Sequence, residues 1–548
     1  MVIDEAKLNK IKDPEAREVI RVLSNLYEDA LVIIQTLKIE NQKLRDENNR
    51  LKGEQGKPDV KPSKKQPEQK DLSSEKERKE PKIWIKNTKN DKLTITRTVE
   101  PLPMEVALPA DAVFKGQVDV VYQDLKLVAE TICVKRNKYY SPSTGKTYYS
   151  PLPVGMEGAF GANLKTLLLG LHHIGNMSEK AMHTLVTHAG ILISTGQISN
   201  LLIKSHEALH QEKQDIALAG LKSAPWQQTD DTLTRVNGVN YHCHVLENPF
   251  YSSYMTLPRK DRLSVLDVFR NGAARVFLFT QQILESAFVL NLPAKWRKTL
   301  GTLPLDTLWD ESSLLELMEE KFPTLAVQQR KGLVEQMALA AYRNQTVIPV
   351  IDLLICDDAP QFCGLTRLLS LCWVHAGRHF KKLSPHLPCH QERLSSFKKK
   401  FWGYYRKLLA YKSRPTSCKA AILEKQFDAL FIANTGYEAL DDRIRKTAAN
   451  KTELLHVLQH PEIPLHNNAS ELAVRRRVRK RDASFGPRTK EGVRAWDTFH
   501  TIVGTAQKHN VSILAYLADR LSKEFKMPSL ASMITSKAAE MNLSRSWS

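Results

Sequence analysis

Trp226-Gln227-Gln228-Thr229-Asp230-Asp231-Thr232-Leu233-Thr234-Arg235-Val236 runs into Asn237-Gly238, and two further strand-like runs follow, Asn240 to Glu247 and Tyr251 to Leu257. Asn-Gly between such runs is a strong hairpin signal, because both turn residues must take positive φ. The segment therefore reads as three antiparallel strands, with a helix near Arg262 to Arg270 behind them. Val347-Ile348-Pro349-Val350-Ile351-Asp352-Leu353-Leu354-Ile355-Cys356 is apolar almost throughout, as a strand buried on both faces must be. The order β-β-β-α-β defines an α/β core over residues 225–520. Helical insertions are predicted at about 281–345 and 365–460.

Three acidic points lie on this frame. Asp230-Asp231 sits in the first strand, and Asp357-Asp358 closes the buried one. Glu471 opens a late helix in Pro464-Leu465-His466-Asn467-Asn468-Ala469-Ser470-Glu471. Only folding could bring them together, and three carboxylates in one pocket repel unless divalent cations sit among them. Magnesium is hard, takes carboxylate oxygens and keeps waters for a phosphate substrate. Two such ions about 4 Å apart can activate an attacking oxygen and stabilise a leaving one on a phosphodiester. Spacing does not choose between Asp230 and Asp231, or between Asp357 and Asp358.

The helix that Glu471 opens continues as Arg475-Arg476-Arg477-Val478-Arg479-Lys480-Arg481. The Asn pair suits an N-cap, and Glu471 suits the positive end of the helix dipole. Such a density of cations repels itself unless a polyanion is near. Arg475, Arg476, Arg477, Arg479, Lys480 and Arg481 therefore read either as contacts to the phosphates of such a polyanion or as the solvated basic face of a well-capped surface helix. Lys398 to Arg406, basic and aromatic together, reads as either a second DNA surface or a solvated helix face.

The whole chain shares this balance. It has 548 residues, with 80 Lys and Arg against 60 Asp and Glu, a formal charge of +20 that favours a nucleic acid or acidic-lipid partner. No apolar run approaches the roughly 18 residues of a membrane span. Met1-Val2-Ile3-Asp4-Glu5 has no secretory features, and seven scattered cysteines fit a reducing compartment. A cytoplasmic protein is expected.

Residues 1–52 carry a seven-residue beat. Ile20, Tyr27, Ile34, Asn41 and Asn48 fall at one position, and Leu23, Ala30, Leu37, Leu44 and Leu51 three residues later. Asn at such positions favours an in-register parallel dimer, and Glu40 with Arg45 and Glu47 with Lys52 are matched across it. Leu37, Asn41, Leu44, Asn48 and Leu51 are therefore expected at a homodimer seam, the alternative being one amphipathic helix packed on its own chain. Residues 53–82 read as a disordered linker. Residues 83–152 read as a small β-rich module with strands at Leu93–Thr96, Gln117–Tyr122 and Val128–Val134 and a hairpin over Tyr139–Tyr149. Residues 153–224 are helical. There Ser178 to His188, a break at Ala189-Gly190 and a capping box of Ser194 with Gln197 outline a helix-turn-helix or an ordinary structural pair. Residues 521–548 read as a frayed tail.

Several of these strings together resemble the bacterial DDE transposases of the insertion-sequence sixty-six family. They are Thr229-Asp230-Asp231-Thr232, Asp357-Asp358-Ala359-Pro360-Gln361-Phe362, Cys372-Trp373-Val374-His375-Ala376-Gly377-Arg378-His379-Phe380, Asn467-Asn468-Ala469-Ser470-Glu471 and Thr505 to Leu517. The resemblance implies an RNase H-like core preceded by an N-terminal coiled coil, a small β module and a helical domain. It implies Mg²⁺-dependent cleavage at element ends (Mn²⁺ can substitute) and transfer of a 3′-hydroxyl into target DNA. It assigns Asp230, Asp357 and Glu471 as the metal-binding catalytic acids, with Phe362 at an aromatic position. Partners would be double-stranded DNA at element ends and target, a second copy or more of the chain, and companion proteins of the same element. Such a bacterial protein would sit on the nucleoid when bound to DNA. The chain departs from the family pattern in several places. Pro109 to Pro151 holds only Cys133, too little for a structural zinc site. His466 stands where an Asp is usual, Lys480-Arg481-Asp482 and Phe485-Gly486-Pro487 stand where Arg-Lys-Asn and Gly-Ser elements are expected, and the insertion between Asp230 and Asp357 is long. Cys372 and His375 have no second ligand pair, so a structural role is expected for them. The rival readings are a domesticated DNA-binding dimer without chemistry, and a structure-specific nuclease that cuts without joining.

Overall fold

The computed structural model describes residues 11–51, 94–99, 120–156, 158–286 and 290–541, together with 109, 111–113 and 288. Its centre is a five-stranded sheet built from β3 (Trp226–Val236), β4 (Val239–Asn248), β5 (Tyr251–Leu257), β8 (Leu353–Cys356) and β9 (Leu368–Leu371), in the order β5-β4-β3-β8-β9. β3, β4 and β5 form the antiparallel meander, with Asn237 at φ 49° and Gly238 at φ 82° making the tight turn. β8 then pairs parallel to β3, and β9 parallel to β8. One sequence expectation is corrected here. Leu368–Leu371 lies in the stretch expected to be helical but forms the sheet's outer parallel strand, since a short apolar run carries no periodicity to tell the two apart.

Alternation along β4 and β5 gives the sheet two faces. Cys243, Val245 and Tyr254 face Ala473 of α16 (Asn468–Ser484), while Leu246 and Met255 join the large core on the other side. β5 is an edge, and α17 (Lys490–Lys508) covers it with side chains. The backbone N–H groups of Ser252, Tyr254 and Thr256 donate to Thr505 Oγ1 (3.3 Å), Thr501 Oγ1 (3.1 Å) and Asp497 Oδ2 (2.7 Å). Every second residue of the strand thus meets every fourth residue of the helix, which closes an edge open to mispairing.

The first expected insertion contains α7 (Gln281–Ser286), α8 (Ala294–Leu300), α9 (Glu311–Lys321) and α10 (Val327–Asn344). It is not wholly helical, since β7 (Thr307–Asp310) pairs antiparallel with β6 (Val276–Phe279). The second holds α11 (Trp373–Lys382), α12 (Pro388–Ser413), α13 (Ser417–Leu430), α14 (Glu438–Ala448) and α15 (Lys451–Leu455). Trp373 is buried among Phe401, Tyr404, Tyr405, Phe427 and Phe431, and its Nε1 donates to Leu454 O at 2.8 Å. Phe401, Tyr404 and Tyr405 therefore point into the core while Lys399, Lys400 and Arg406 are exposed on the other face of α12.

The N-terminal segment is one helix, α1 (Pro14–Leu51). Its polar face docks on the chain's own core. Glu28, only 2% exposed, accepts from the N–H groups of His386 and Leu387 (3.0 Å to the latter) and from His390 Nδ1 at 3.1 Å. Asn25 Oδ1 accepts from Glu438 N at 3.1 Å. Ile20 packs beside Leu387 and Cys389. Leu37, Asn41, Leu44, Asn48 and Leu51 are all exposed in the single chain.

Before the sheet, α2 (Ala162–His173), α3 (Glu179–His188), α4 (Thr195–Ile203) and α5 (Glu207–Lys222) share a core with α17, α18 (Ile513–Leu521) and α19 (Leu530–Glu540). Ser194 caps α4 by accepting from Gln197 N at 3.1 Å. The frayed tail is corrected: Leu530, Ile534 and Ala538, one helical turn apart, bury a stripe in this core. The small β module is corrected as well. Among the described residues it has only the hairpin β1 (Lys138–Ser141) with β2 (Lys146–Tyr149), while 94–96, 120–122 and 128–134 form no strand. Their apolar side chains are exposed, because alternation makes a strand only where a second layer covers it. The expected linker over 53–82, Leu93 and Gln117–Asp119 lie outside the described residues. Among the described residues no helix is long and apolar enough to cross a membrane.

Candidate active site

Gln228 of β3 pairs with Ile355 of β8, so Asp230, still within β3, and Asp357, just past the end of β8, lie two residues further on at the same level. The start of α16 is tied to the same place. Gln228 Nε2 donates to His466 O (2.9 Å), and Asn467 Nδ2 donates to Thr229 O (2.6 Å). Asn467 occupies the N-cap position, yet its side chain does not cap the helix: it holds β3 on one side and accepts from Ser470 Oγ (3.0 Å) on the other. The expectation of an Asn cap is corrected accordingly. These ties put Glu471, in the first turn of α16, opposite the two aspartates.

The carboxylates feel one another. Burial is the main force lifting Asp230, and the charges of Asp357, Asp231 and Glu471 add to it against an N–H donated by Asp231, so that its pKa reaches about 7. Burial also raises Asp357, and Asp358 and Asp231 add to that, while Ala359 N–H and His375 oppose it. Burial works against ionisation of Asp358, but His379 at 2.9 Å and Arg443 at 3.5 Å outweigh it and keep Asp358 below the usual carboxylate value. Asp231 accepts from Gln361 Nε2 at 3.2 Å. Asp231 and Asp358 thus each have a dedicated side-chain donor.

Sequence reasoning missed the group that holds Glu471. Arg378, on α11, meets both carboxylate oxygens at 2.8 Å, and its Nη1 donates to His375 Nε2 at 2.9 Å. The signal was a cation three residues after a histidine, one turn along a helix. Cys372 is structural, as expected. Its Sγ accepts from Asn467 N at 3.2 Å, and burial pushes the thiol up to about 11.

Three carboxylates suit a hard divalent cation, and such an ion would relieve the part of the Asp230 shift that Asp357, Asp231 and Glu471 add to burial. Among the described residues, no three His, Cys, Asp or Glu side chains are gathered at coordination distance. Glu471 is instead engaged by Arg378. If that ion pair competes with a cation, Arg378→Gln is expected to bind Mn²⁺ several-fold more tightly, a gain on the order of 1 kcal/mol for losing a charge-assisted bidentate partner. Calorimetric titration of the metal into wild type and variant checks this, and equal affinities would refute the competition.

The basic helix divides by its period. Arg475 and Arg479 are exposed, and Arg476 and Arg481 are half-buried. Arg476 donates to Tyr254 Oη (3.0 Å) and Gln507 Oε1 (2.6 Å), and Arg481 donates to Leu233 O. Arg477 and Lys480 are fully buried with Ser470 and Ala473 on the face against the sheet. Arg477 binds Asp497 (3.1 Å) and Thr256 Oγ1 (2.8 Å) and lies over Trp496. Lys480 Nζ is 2.9 Å from His172 Nδ1, and burial brings its pKa down to about 7. The expectation of six phosphate contacts is corrected for these two, which are structural.

Residues 355–495 match the Transposase IS66 family. That span includes Asp357 and Glu471 but not Asp230. The uncharacterized protein y4jO of Sinorhizobium fredii (strain NBRC 101917 / NGR234) is 30% identical over 327 residues, 58% of this chain and 99% of y4jO. No solved structure matches.

Proposed function

Because the chain belongs to the IS66 transposase family, we propose that it cuts DNA at the ends of an insertion sequence and joins the freed 3′-hydroxyl to target DNA. The observation that supports this reading is that β3 and β8 hold Asp230 and Asp357 in neighbouring register, while Asn467 ties the start of α16 to Thr229 and Asp230 feels the charges of Asp357 and Glu471. The order β5-β4-β3-β8-β9 supports reading the sheet as an RNase H-like core. Asp230, Asp357 and Glu471 would hold two Mg²⁺, or Mn²⁺ in their place. Bound there, the ions would lower the pKa of an attacking hydroxyl and offset charge on the phosphodiester. The chain's own part is to orient the acids and to grip the backbone through the exposed Arg475 and Arg479. Water is the first nucleophile and the 3′-hydroxyl the second.

Incubation with DNA carrying the element's ends and with Mg²⁺ or Mn²⁺ tests this. Joined product is expected. Binding without cutting would favour the retired DNA-binding dimer, and cutting without joining the nuclease.

The exposed heptad seam of α1 supports a homodimer. Its anchor at Glu28 lies upstream of Leu37 to Leu51, so the distal turns are available to a second copy. The double variant Leu37→Glu with Leu44→Glu is expected to sediment as a monomer while the fold, anchored at Glu28, keeps its melting temperature. An unchanged mass would refute the seam.

A further inference from the structure

We propose that Phe485 is a stacking platform for an unpaired or extruded base of bound DNA, a reading that rests on the DNA-binding part of the function proposed above. Phe485 follows the last turn of α16 in the left-handed conformation (φ 58°, ψ 4°), where a helix ordinarily ends on Gly or Asn. A bulky side chain is disfavoured there. No packing compensates, since Phe485 is 90% exposed.

The backbone that carries the ring is tied down on both sides. Phe485 N–H donates to Arg481 O at 2.8 Å. Gly486 follows at φ 89°, so close to β3 that a Cβ there would lie 2.7 Å from Arg235 O. Asn237 N donates to Pro487 O at 3.3 Å, and Arg481 reaches Leu233 O. The hairpin tip and the helix end are thereby one unit, and a strained residue fixed outward on such a unit is a mark of a contact made elsewhere.

Charge identifies the partner. Arg235, Arg488 and Lys490 are exposed on the same unit, and Arg479 is exposed six residues before Phe485 on α16. The nearby acids are Asp482, 3.7 Å from Arg481, and Glu491 in the first turn of α17. An exposed aromatic carried between segments that expose cations fits a base with phosphates on either side. Along α16, Phe485 lies about 20 Å from Glu471 at 1.5 Å per residue, so one DNA strand could touch both.

The test uses the full chain in chelator, where no strand is cut. Anisotropy compares a blunt duplex with the same duplex carrying a single-stranded oligothymidine tail that contains one 2-aminopurine. Wild type is expected to prefer the tailed DNA by roughly tenfold and to quench the 2-aminopurine. Phe485→Ala should lose both effects and keep its affinity for blunt duplex, and Phe485→Trp should retain them. Phe485→Gly should lose them while melting no lower than wild type, because glycine adopts this conformation freely. A wild type without the preference, or Phe485→Ala retaining it, overturns the platform alone. A change of oligomeric mass in Phe485→Ala would also overturn it, in favour of a protein contact. Failure of wild type to bind either DNA would remove the DNA reading beneath it.

Discussion

Asp230→Asn is expected to bind DNA as wild type does and to leave strands uncut and unjoined, a loss of about a thousandfold or more. The estimate follows from roughly 4 kcal/mol of charge stabilisation that one ligand to the ions would carry. The same substitution has a second consequence that needs no substrate. Burial and the neighbouring acids lift Asp230 to about 7 in the folded chain, well above the roughly 3.9 of an unfolded aspartate. Between those values the native state keeps a proton that the unfolded chain has released. Stability contributed by Asp230 is therefore fully present below about pH 4 and is lost as pH rises through 7. Asparagine removes this dependence. In chelator at pH 8, Asp230→Asn should be more stable than wild type, by a few kcal/mol at most, and near pH 4 the two should converge. Thermal melts at both pH values check the sign, and added Mg²⁺ should stabilise wild type alone. A variant that cuts normally would end the enzymatic reading, whereas one that is inactive yet shows no pH-dependent gain would remove only the buried-carboxylate account.

Local rules made much of this frame legible. Asn237-Gly238 announced its hairpin because two consecutive positive φ values admit few residues, whereas of the apolar run Val347 to Cys356 only Leu353–Cys356 is the buried strand, Val347 and Val350 being exposed before it. The acidic doublets could be located but not ranked. Choosing Asp230 over Asp231 rested on resemblance; in the structure Asp231 has Gln361 as a donor, while Asp230 is lifted by burial first and by neighbouring acids second. Long-range partners left no trace in the string. Arg477 and Lys480 read as surface cations because nothing near them in sequence announces Asp497, His172 or Trp496. Arg378 escaped for the same reason, since its partner Glu471 lies on another helix. Leu368–Leu371 was too short to declare a period, and the alternating runs before residue 138 lacked the covering layer that alternation presupposes.

The division of the basic helix yields the largest expected effect on stability. Asp497 does three things at once: it accepts Thr256 N–H and Thr256 Oγ1, and it neutralises Arg477, itself completely buried. Asp497→Ala should lower unfolding free energy by about 3–5 kcal/mol, because an uncompensated guanidinium remains in the interior and the last link covering the β5 edge is gone. Arg477→Met should cost less. The aspartate left behind keeps both donors from Thr256, and the aliphatic chain fills the space over Trp496. Arg479→Ala, on the exposed face, should change stability by no more than about 0.5 kcal/mol and reduce the salt dependence of DNA binding by roughly one phosphate contact. Urea titration and salt-dependent anisotropy on the three variants separate the two faces. If Arg477→Met lowered the salt slope while leaving the urea midpoint in place, Arg477 would be a phosphate ligand after all, and the buried face of α16 would have to open when DNA binds.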